Sequence, residues 1–206
     1  MGRDKQAVKF RNKLVVSCQD NPQWTTRMAL QGGCGGLRLD GPTAVKMARL
    51  MDRDIPIVAC WKVTVTGYNV YITPTVNQVQ PLVDAGADIV AFDATAHKRP
   101  TTVKVMVDTI HRAGAMAMAD IHNVAEGMAA SEAGADFIST TMNPKMDGAM
   151  LHQLSSQTDK TIVEEGGVWS PEEAKLAVEY GAALVVVGTA ITRPHDITSR
   201  FVEALK

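Results

Sequence analysis

Short apolar runs alternate along the chain with stretches whose apolar residues recur at helical spacing. The runs are nearly continuous and rich in Val, Ile and Ala, which is typical of parallel strands buried on both faces. We expect strands at 14–18, 36–40 and 56–61, within 84–93, at 115–120, within 132–141, at 160–165 and within 179–188. We expect helices near 23–33, 42–54, 76–86, 100–113, 124–133, 147–157, 171–180 and 196–205.

Three of the predicted junctions share one phrase, seen in "DAGADIVAFD", "EAGADFISTT" and "EYGAALVVVG". The central glycines, Gly86, Gly134 and Gly181, lie 48 and 47 residues apart. Glycine readily takes the left-handed conformation that ends a helix, and a β-prone run follows each one directly. Each phrase therefore marks a helix-to-strand joint, and each interval holds two strand–helix units.

Eight alternating units favour a closed (β/α)8 TIM barrel over an open doubly wound sheet, which similar units can also build. No linker, low-complexity segment or long charge run marks a boundary. We therefore expect residues 1–206 to form a single barrel domain.

The composition is that of an ordinary globular protein, with 46% hydrophobic residues and a formal net charge of −1. Such a charge gives no overall attraction to nucleic acid or to an anionic membrane. The cysteines, Cys18, Cys34 and Cys60, lack the spacing of a disulfide framework or a zinc site. Residues 1–13 are basic without the apolar core of a signal peptide, and no run is as long as a membrane span. We expect a cytoplasmic protein with no nucleic-acid or membrane partner, and a homodimer is one expectation for its assembly.

Polar residues collect where the predicted strands end, and barrel active sites lie at the carboxyl ends of their strands. In chain order these residues are Ser17, Gln19, Arg38, Asp40, Lys62, Asp93, Asp120, Thr140, Thr141, Glu165, Gly188 and Thr189. Leu37 and Leu39 flank Arg38, so strand alternation turns Arg38 toward the barrel mouth. Alternation alone does not choose between Glu164 and Glu165.

Small residues follow the last two predicted strands, at Gly166–Gly167 and at Gly188–Thr189. A phosphate can approach backbone amides closely where no side chain intervenes, and the start of a short helix adds a favourable dipole. The two segments together predict a phosphorylated substrate, although either pair alone is also compatible with a tight turn.

Candidate acid–base groups stand on the other strand ends. Lys62 follows an apolar strand, where an amine suits proton transfer or imine formation, and a solvated lysine is the alternative. Glu165 can accept or position a proton, or cap the next helix. Asp120 suits a catalytic acid or an acceptor for sugar hydroxyls. Asp93 suits either a substrate contact or a structural role, holding Lys62 or a neighbouring loop.

Metal and cofactor signals are weak. The five histidines are scattered, and no pair of them lies with carboxylates at metal-ligand spacing. Neither a glycine-rich dinucleotide fingerprint after the first strand nor a Walker loop is present. We therefore expect no metal, and the sequence gives no support for nucleotide binding.

The strings "VVSCQ", "LRLDG", "YITPT", "VAFDATAHKRP", "MADI", "ISTTM", "VEEGGVWSPEEA" and "VVVGTAITRP" occur in this order from about residue 14 onward. Together they resemble the motifs of the bacterial N-acetylmannosamine-6-phosphate 2-epimerase family. The resemblance implies a (β/α)8 barrel isomerase of sialic-acid catabolism. It would convert N-acetylmannosamine 6-phosphate to N-acetylglucosamine 6-phosphate by moving the proton at C2, without a metal or cofactor.

The same resemblance assigns roles to residues. Lys62 corresponds to the family's catalytic lysine and Glu165 to the acidic residue that works with it, which favours the second of the two glutamates. The implied substrate contacts are Gln19, Arg38, Asp120 and Arg193. The implied phosphate cradle contains Gly166, Gly188 and Thr189, and the residue-based prediction adds Gly167.

The chain also departs from the family's pattern at its loops. "CQDNPQW" and "NPKMDG" are short, "KVTVTGYN" lacks acidic residues that are common there, and Gly167 stands where a lysine or arginine is usual. Such loops shape substrate choice, and the residues of the barrel core carry the reaction. The resemblance therefore defines the type of reaction better than the identity of the sugar. The alternatives are another sugar-phosphate epimerase, a Schiff-base aldolase that uses Lys62, and a non-catalytic phosphosugar-binding barrel.

Overall fold

Eight parallel strands pair in chain order, and the last pairs with the first to close a barrel. The computed structural model describes residues 8–206, so the first seven residues of the basic N-terminal segment lie outside it. The strands are β1 Leu14–Ser17, β2 Gly36–Asp40, β3 Ile57–Cys60, β4 Ile89–Asp93, β5 Met116–Asp120, β6 Phe137–Ser139, β7 Thr161–Glu165 and β8 Leu184–Val187. The fold is the predicted (β/α)8 barrel.

Helices alternate with the strands and cover the outside of the barrel. They are α1 Pro22–Gln31, α2 Gly41–Met51, α3 Val79–Asp84, α4 Val103–Arg112, α5 Val124–Glu132, α6 Gly148–Gln157, α7 Pro171–Glu179, α8 Thr189–Thr192 and α9 Pro194–Ala204. The predicted joints are confirmed, because Gly86, Gly134 and Gly181 have φ values of 107°, 95° and 109°.

Two predicted helices differ from the observed ones. The third opens with a 3-10 turn, Val76–Gln78, before α3 begins. After β8, where one helix was expected, the short α8 ends at Thr192 and α9 begins at Pro194. A proline disfavours helical backbone in the residue before it, which explains the break at Arg193.

Strand alternation divides the apolar side chains into two layers. Val58, Met118 and Val163 belong to the cluster inside the barrel. Leu37 and Leu39 belong to the larger cluster between barrel and helices. Arg38, which lies between these two leucines, therefore faces the barrel interior, as predicted.

The chain beyond β3 folds back on itself as a two-stranded antiparallel ribbon. Lys62 forms a β-bridge with Ile72. The amide of Val63 donates to the carbonyl of Tyr71 at 3.0 Å, and the amide of Thr73 donates to the carbonyl of Trp61 at 3.0 Å. The ribbon therefore begins at the mouth of the barrel, directly after the third strand.

In the part of the chain that the structure describes, no helix combines the length and the apolar character needed to cross a membrane.

Candidate active site

The two adjacent glutamates of β7 face opposite layers. Val163, one residue before Glu164, packs inside the barrel, and Ile162 packs against the helices. Alternation therefore directs Glu165 inward and Glu164 outward. Glu165 is the glutamate that the family resemblance favoured.

A buried ion cluster lies at the inner end of the mouth, centred on Arg38. Arg38 Nη2 donates to Asp120 Oδ2 at 2.6 Å and Nη1 donates to Asp120 Oδ1 at 3.2 Å. Arg38 Nη1 also lies 2.7 Å from Glu165 Oε2. Only 1% of the Arg38 side chain and none of the Asp120 side chain is exposed. One guanidinium therefore joins two carboxylates contributed by different strands, and its bidentate contact fixes Asp120.

Thr141 completes this cluster; the sequence placed it among the polar residues at the strand ends but assigned it no role. Its hydroxyl lies 2.8 Å from Asp120 Oδ1 and 3.1 Å from Glu165 Oε2. A hydroxyl has one proton to donate, so it donates to one of these two carboxylates at a time, and its hydrogen bond to Glu165 lowers the pKa of that carboxyl group. The available signal was alternation with Ser139, which places Thr141 on the inner face; its hydroxyl lies 2.8 Å from that of Ser139.

The surroundings of Glu165 favour its neutral form. Burial raises the pKa of Glu165 above its usual range, Arg38 opposes this, and Asp120 adds to it. Thr141 and Lys62 lower the pKa by smaller amounts. Because 13% of the side chain is exposed, Glu165 still reaches the cavity and can exchange a proton there.

Lys62 is held on the opposite side of the mouth. Its amide donates to Asp40 Oδ1 at 2.9 Å. Its Nζ donates to Gln19 Oε1, and Gln19 Nε2 donates to Ser17 Oγ at 3.1 Å. Asp40 at the end of β2 therefore holds the Lys62 backbone and Gln19, after β1, holds its ammonium group, so the predicted residues Lys62 and Gln19 are direct neighbours.

A cavity of about 360 Å³ opens beside the cluster. Predicted residues that line it are Gln19, Glu165, Gly166, Gly167, Gly188, Thr189 and Arg193. The two glycine segments expected to bind phosphate thus border one cavity, which Glu165 also reaches. Arg38, Asp120 and Lys62 are not among its lining residues, so Arg38 and Asp120 lie behind Glu165 and not against the open space.

Arg193 stands at the rim, and its Nε donates to Asp20 Oδ2. Asp20 also lines the cavity and was not predicted. The two residues are 173 positions apart in the chain, so only the closure of the barrel brings them together. The Arg193 side chain is 43% exposed, which leaves it accessible to an anion entering from solvent.

The loop after β6 packs directly on Gly166 and Gly167. Their φ values are 114° and 72°. A Cβ atom on Gly166 would lie 2.3 Å from the carbonyl oxygen of Asn143, and one on Gly167 would lie 2.8 Å from that of Pro144. The backbone of this loop therefore leaves room only for glycine at both positions.

Asp93, for which the sequence left two roles open, contacts its own loop. Its Oδ1 accepts from the Thr95 amide at 2.9 Å and from the Thr95 hydroxyl at 2.6 Å, and Arg99 Nη2 lies 3.5 Å away. These contacts favour the structural role. Within residues 8–206, no group of three or more His, Cys, Asp or Glu side chains is placed to hold a metal ion.

The fold is a closed (β/α)8 barrel, with a buried arginine–carboxylate cluster and a glycine-lined cavity at the carboxyl ends of its strands. This is the architecture of barrel proteins that carry acid–base groups at their strand ends. Residues 25–206 match the family model described as "Putative N-acetylmannosamine-6-phosphate epimerase". The chain belongs to this family.

Individual relatives agree with the family match. A protein of Caldanaerobacter subterraneus subsp. tengcongensis named "Putative N-acetylmannosamine-6-phosphate 2-epimerase" is 38% identical over 96% of this chain and 93% of its own length. The solved N-acetylmannosamine-6-phosphate 2-epimerase of Clostridium perfringens superposes with a TM-score of 0.91 at 32% identity, over 99% of both chains. Thiamine phosphate pyrophosphorylase of Pyrococcus furiosus, at 16% identity, a TM-score of 0.66 and coverage of 91% and 90%, shares the fold alone.

Proposed function

We propose that this protein is an N-acylglucosamine-6-phosphate 2-epimerase, which converts N-acetylmannosamine 6-phosphate to N-acetylglucosamine 6-phosphate in the cytoplasm as part of sialic-acid catabolism. The observation that carries the proposal is the buried contact of Arg38 with both Asp120 and Glu165, at the edge of a glycine-lined cavity. The relatives named for this reaction supply the identity of the sugar.

The proposed reaction moves one proton. In the open-chain sugar the hydrogen on C2 lies next to the C1 aldehyde, so a base can remove it if the enolate that forms is stabilised. Return of a proton to the opposite face then inverts C2. Lys62 transfers the proton, and Glu165 sets the charge state or position of that lysine. Lys62 and Arg38 supply the positive charge that offsets the enolate.

The proposed phosphate site is the cavity wall formed by Gly166–Gly167 and Gly188–Thr189. Glycine lets the phosphate oxygens approach the backbone, and α8 begins at Thr189, which lines the cavity. Arg193 adds a positive charge at the rim. We assign the sugar hydroxyls to Gln19, because it accepts a hydrogen bond from Lys62 and lines the cavity.

Turnover in deuterated water tests the reaction. The N-acetylglucosamine 6-phosphate product is expected to carry deuterium at C2, as read by NMR or mass spectrometry. Product that forms with hydrogen retained at C2 contradicts proton transfer with solvent exchange. Borohydride added during turnover separates the Schiff-base alternative, because only an imine between Lys62 and a substrate would be trapped.

A phosphosugar-binding barrel without catalysis is a distinct outcome. Binding of the phosphosugar by calorimetry, together with neither epimer interconversion nor deuterium at C2, would replace the enzyme proposal with a sensor.

A further inference from the structure

Glu164 is a buried acidic residue for which the proposed mechanism has no role. Only 1% of it is exposed, and it faces the layer between the barrel and the helices. Its Oε2 accepts a hydrogen bond from the Thr140 hydroxyl at 2.6 Å. Its Oε1 is buried without a hydrogen-bond partner among residues 8–206. Burying a carboxyl group with one unsatisfied oxygen costs free energy of folding. We therefore expect the single hydrogen bond that Glu164 makes to have a role.

The Thr140 hydroxyl connects Glu164 to the backbone of Glu165. The registered pairs of β6 and β7 end at Ser139 and Val163. The amide of Thr140 donates to the carbonyl of Val163 at 3.1 Å, and the amide of Glu165 then donates to Thr140 Oγ1 at 3.0 Å. A side-chain hydroxyl thus takes the place of a carbonyl acceptor for the Glu165 amide just beyond the ladder.

This arrangement lets the chain leave β6 while still holding Glu165. Thr140 faces outward and binds the Glu165 backbone, whereas Thr141 faces inward and contacts Glu165 Oε2 at 3.1 Å. Two adjacent threonines therefore restrain the same residue, one through its amide and one through its carboxyl group.

Glu164 determines which way the Thr140 hydroxyl points. That hydroxyl has one proton and two acceptors in reach, Glu164 Oε2 at 2.6 Å and the carbonyl of Glu165 at 3.2 Å. The shorter contact with the carboxyl oxygen takes the proton, which leaves a lone pair directed at the Glu165 amide. Without Glu164, the hydroxyl is released to donate to the Glu165 carbonyl and its lone pairs turn with it.

We propose that Glu164 and Thr140 are positioning residues that act through the backbone of Glu165 to hold its carboxyl group against Arg38. The inference rests on the proposed role of Glu165 in proton transfer. A shift of about 1 Å at a reacting group can lower a rate by up to roughly a hundredfold, so a tether of this kind has a measurable effect on turnover.

Paired substitutions separate the tether from packing. Thr140→Val removes the hydroxyl at nearly constant shape, and Thr140→Ser keeps it. Glu164→Ala removes the acceptor, and Glu164→Gln keeps an oxygen acceptor without the charge. We expect Thr140→Val and Glu164→Ala to lower kcat by on the order of tenfold with a smaller change in KM, and Thr140→Ser and Glu164→Gln to retain most of the activity.

A second readout does not depend on activity. Titration of the Glu165 carboxyl carbon by 13C NMR reports its pKa in each folded variant, and thermal unfolding monitors stability. The groups around Glu165 are Arg38 and Lys62, which lower its pKa, Asp120, which raises it, and Thr141. Because Arg38 has the largest effect among these charges, a carboxyl group that retreats from Arg38 titrates at higher pH.

The outcomes distinguish this inference from the proposed function. A higher Glu165 pKa in Thr140→Val and Glu164→Ala, but not in the conservative partners, supports the tether even if the wild-type protein proves inactive as an epimerase. Unchanged Glu165 titration in Thr140→Val overturns it. Equal shifts in all four variants also overturn it, because they would report general loosening. If Glu164→Ala does not fold, the Thr140 pair decides.

Discussion

Lys62 and Glu165 stand at one barrel mouth but are fixed by separate sets of partners. Lys62 Nζ donates to Gln19, which follows β1, whereas Glu165 accepts from Arg38 and contacts Thr141. The positive charge of Lys62 nevertheless lowers the pKa of Glu165, so the two groups interact through space. The two groups can therefore be altered one at a time without dismantling the other's support.

Replacement of either group should remove most of the turnover. Lys62→Ala and Glu165→Gln are each expected to lower kcat by on the order of a hundredfold or more, and the double variant should be far less than multiplicatively worse, since residues acting as a unit are not additive. Steady-state kinetics of the two single variants and the double variant measure this. Lys104→Ala, on the exposed face of α4, is the control. Near-normal turnover by Lys62→Ala would contradict proton transfer by this lysine.

Gly188 offers the cleanest test of the phosphate site. Its φ is −107° and its ψ is −90°, outside the usual helical and extended regions, so only a small side chain suits this position. A Cβ atom there would make an ordinary 3.4 Å contact with Ser17 Cβ. Gly188→Ala adds one methyl group to the cavity wall, which we expect to raise KM for the phosphosugar at least about tenfold, and thermal unfolding checks that the variant is folded. Kinetics against Gly32→Ala, a helix-end glycine away from the cavity, provide the comparison. An unchanged KM would place the phosphate elsewhere.

The charges around Glu165 predict two opposite shifts in pH dependence. Asp120 raises the pKa of Glu165 and the Thr141 hydrogen bond lowers it. Asp120→Asn should therefore move the Glu165 titration to lower pH, and Thr141→Val should move it to higher pH. Carboxyl 13C titration and the pH profile of kcat/KM report both shifts. Movement of the two variants in the same direction would show that changes in burial dominate over the named contacts.

Glu164 makes the stability of the fold depend on pH. Burial, with Asp147 adding and the Thr140 hydrogen bond opposing, raises the pKa of Glu164 to about 7. A raised folded-state pKa contributes stability that is present below the unfolded pKa and lost as pH rises through about 7. Glu164→Gln should therefore gain stability relative to wild type as the pH rises from 5 to 8. Its free energy of unfolding should increase by about 2 kcal/mol relative to that of wild type.

Urea unfolding at the two pH values measures that difference. Glu132→Gln, at an exposed position of α5, is the matched control. A Glu164→Gln difference that stays constant between pH 5 and pH 8 would contradict the raised pKa.

Much of the fold follows from local sequence. The glycine phrases around Gly86, Gly134 and Gly181 mark the joints because a helix that ends in left-handed backbone has few alternatives to glycine. The inward direction of Arg38 follows from the leucines on either side of it. Strand ends identify site candidates because barrel geometry collects them on one rim.

The remaining features depend on pairings between distant segments. A barrel strand packs against apolar side chains on both its inner and its outer face. The apolar run before Glu164 and Glu165 therefore does not indicate which of the two faces inward. Thr141 contacts Asp120 and Glu165, and Asp20 contacts Arg193, through pairings that the register of the closed sheet determines. The roles of Lys62, Glu165 and the phosphate segments stay predictions.

The ribbon that follows β3 has a consequence for how this mouth can vary. Lys62 lies at the paired base of the ribbon, through its bridge to Ile72, and not at the end of an unsupported strand. The turn around Gly67, at the far end of the ribbon, can be lengthened or shortened while that base pairing is kept. We therefore expect a change in the length of this turn to leave Lys62 in its place, since the position of the lysine depends on the base of the ribbon and not on its tip.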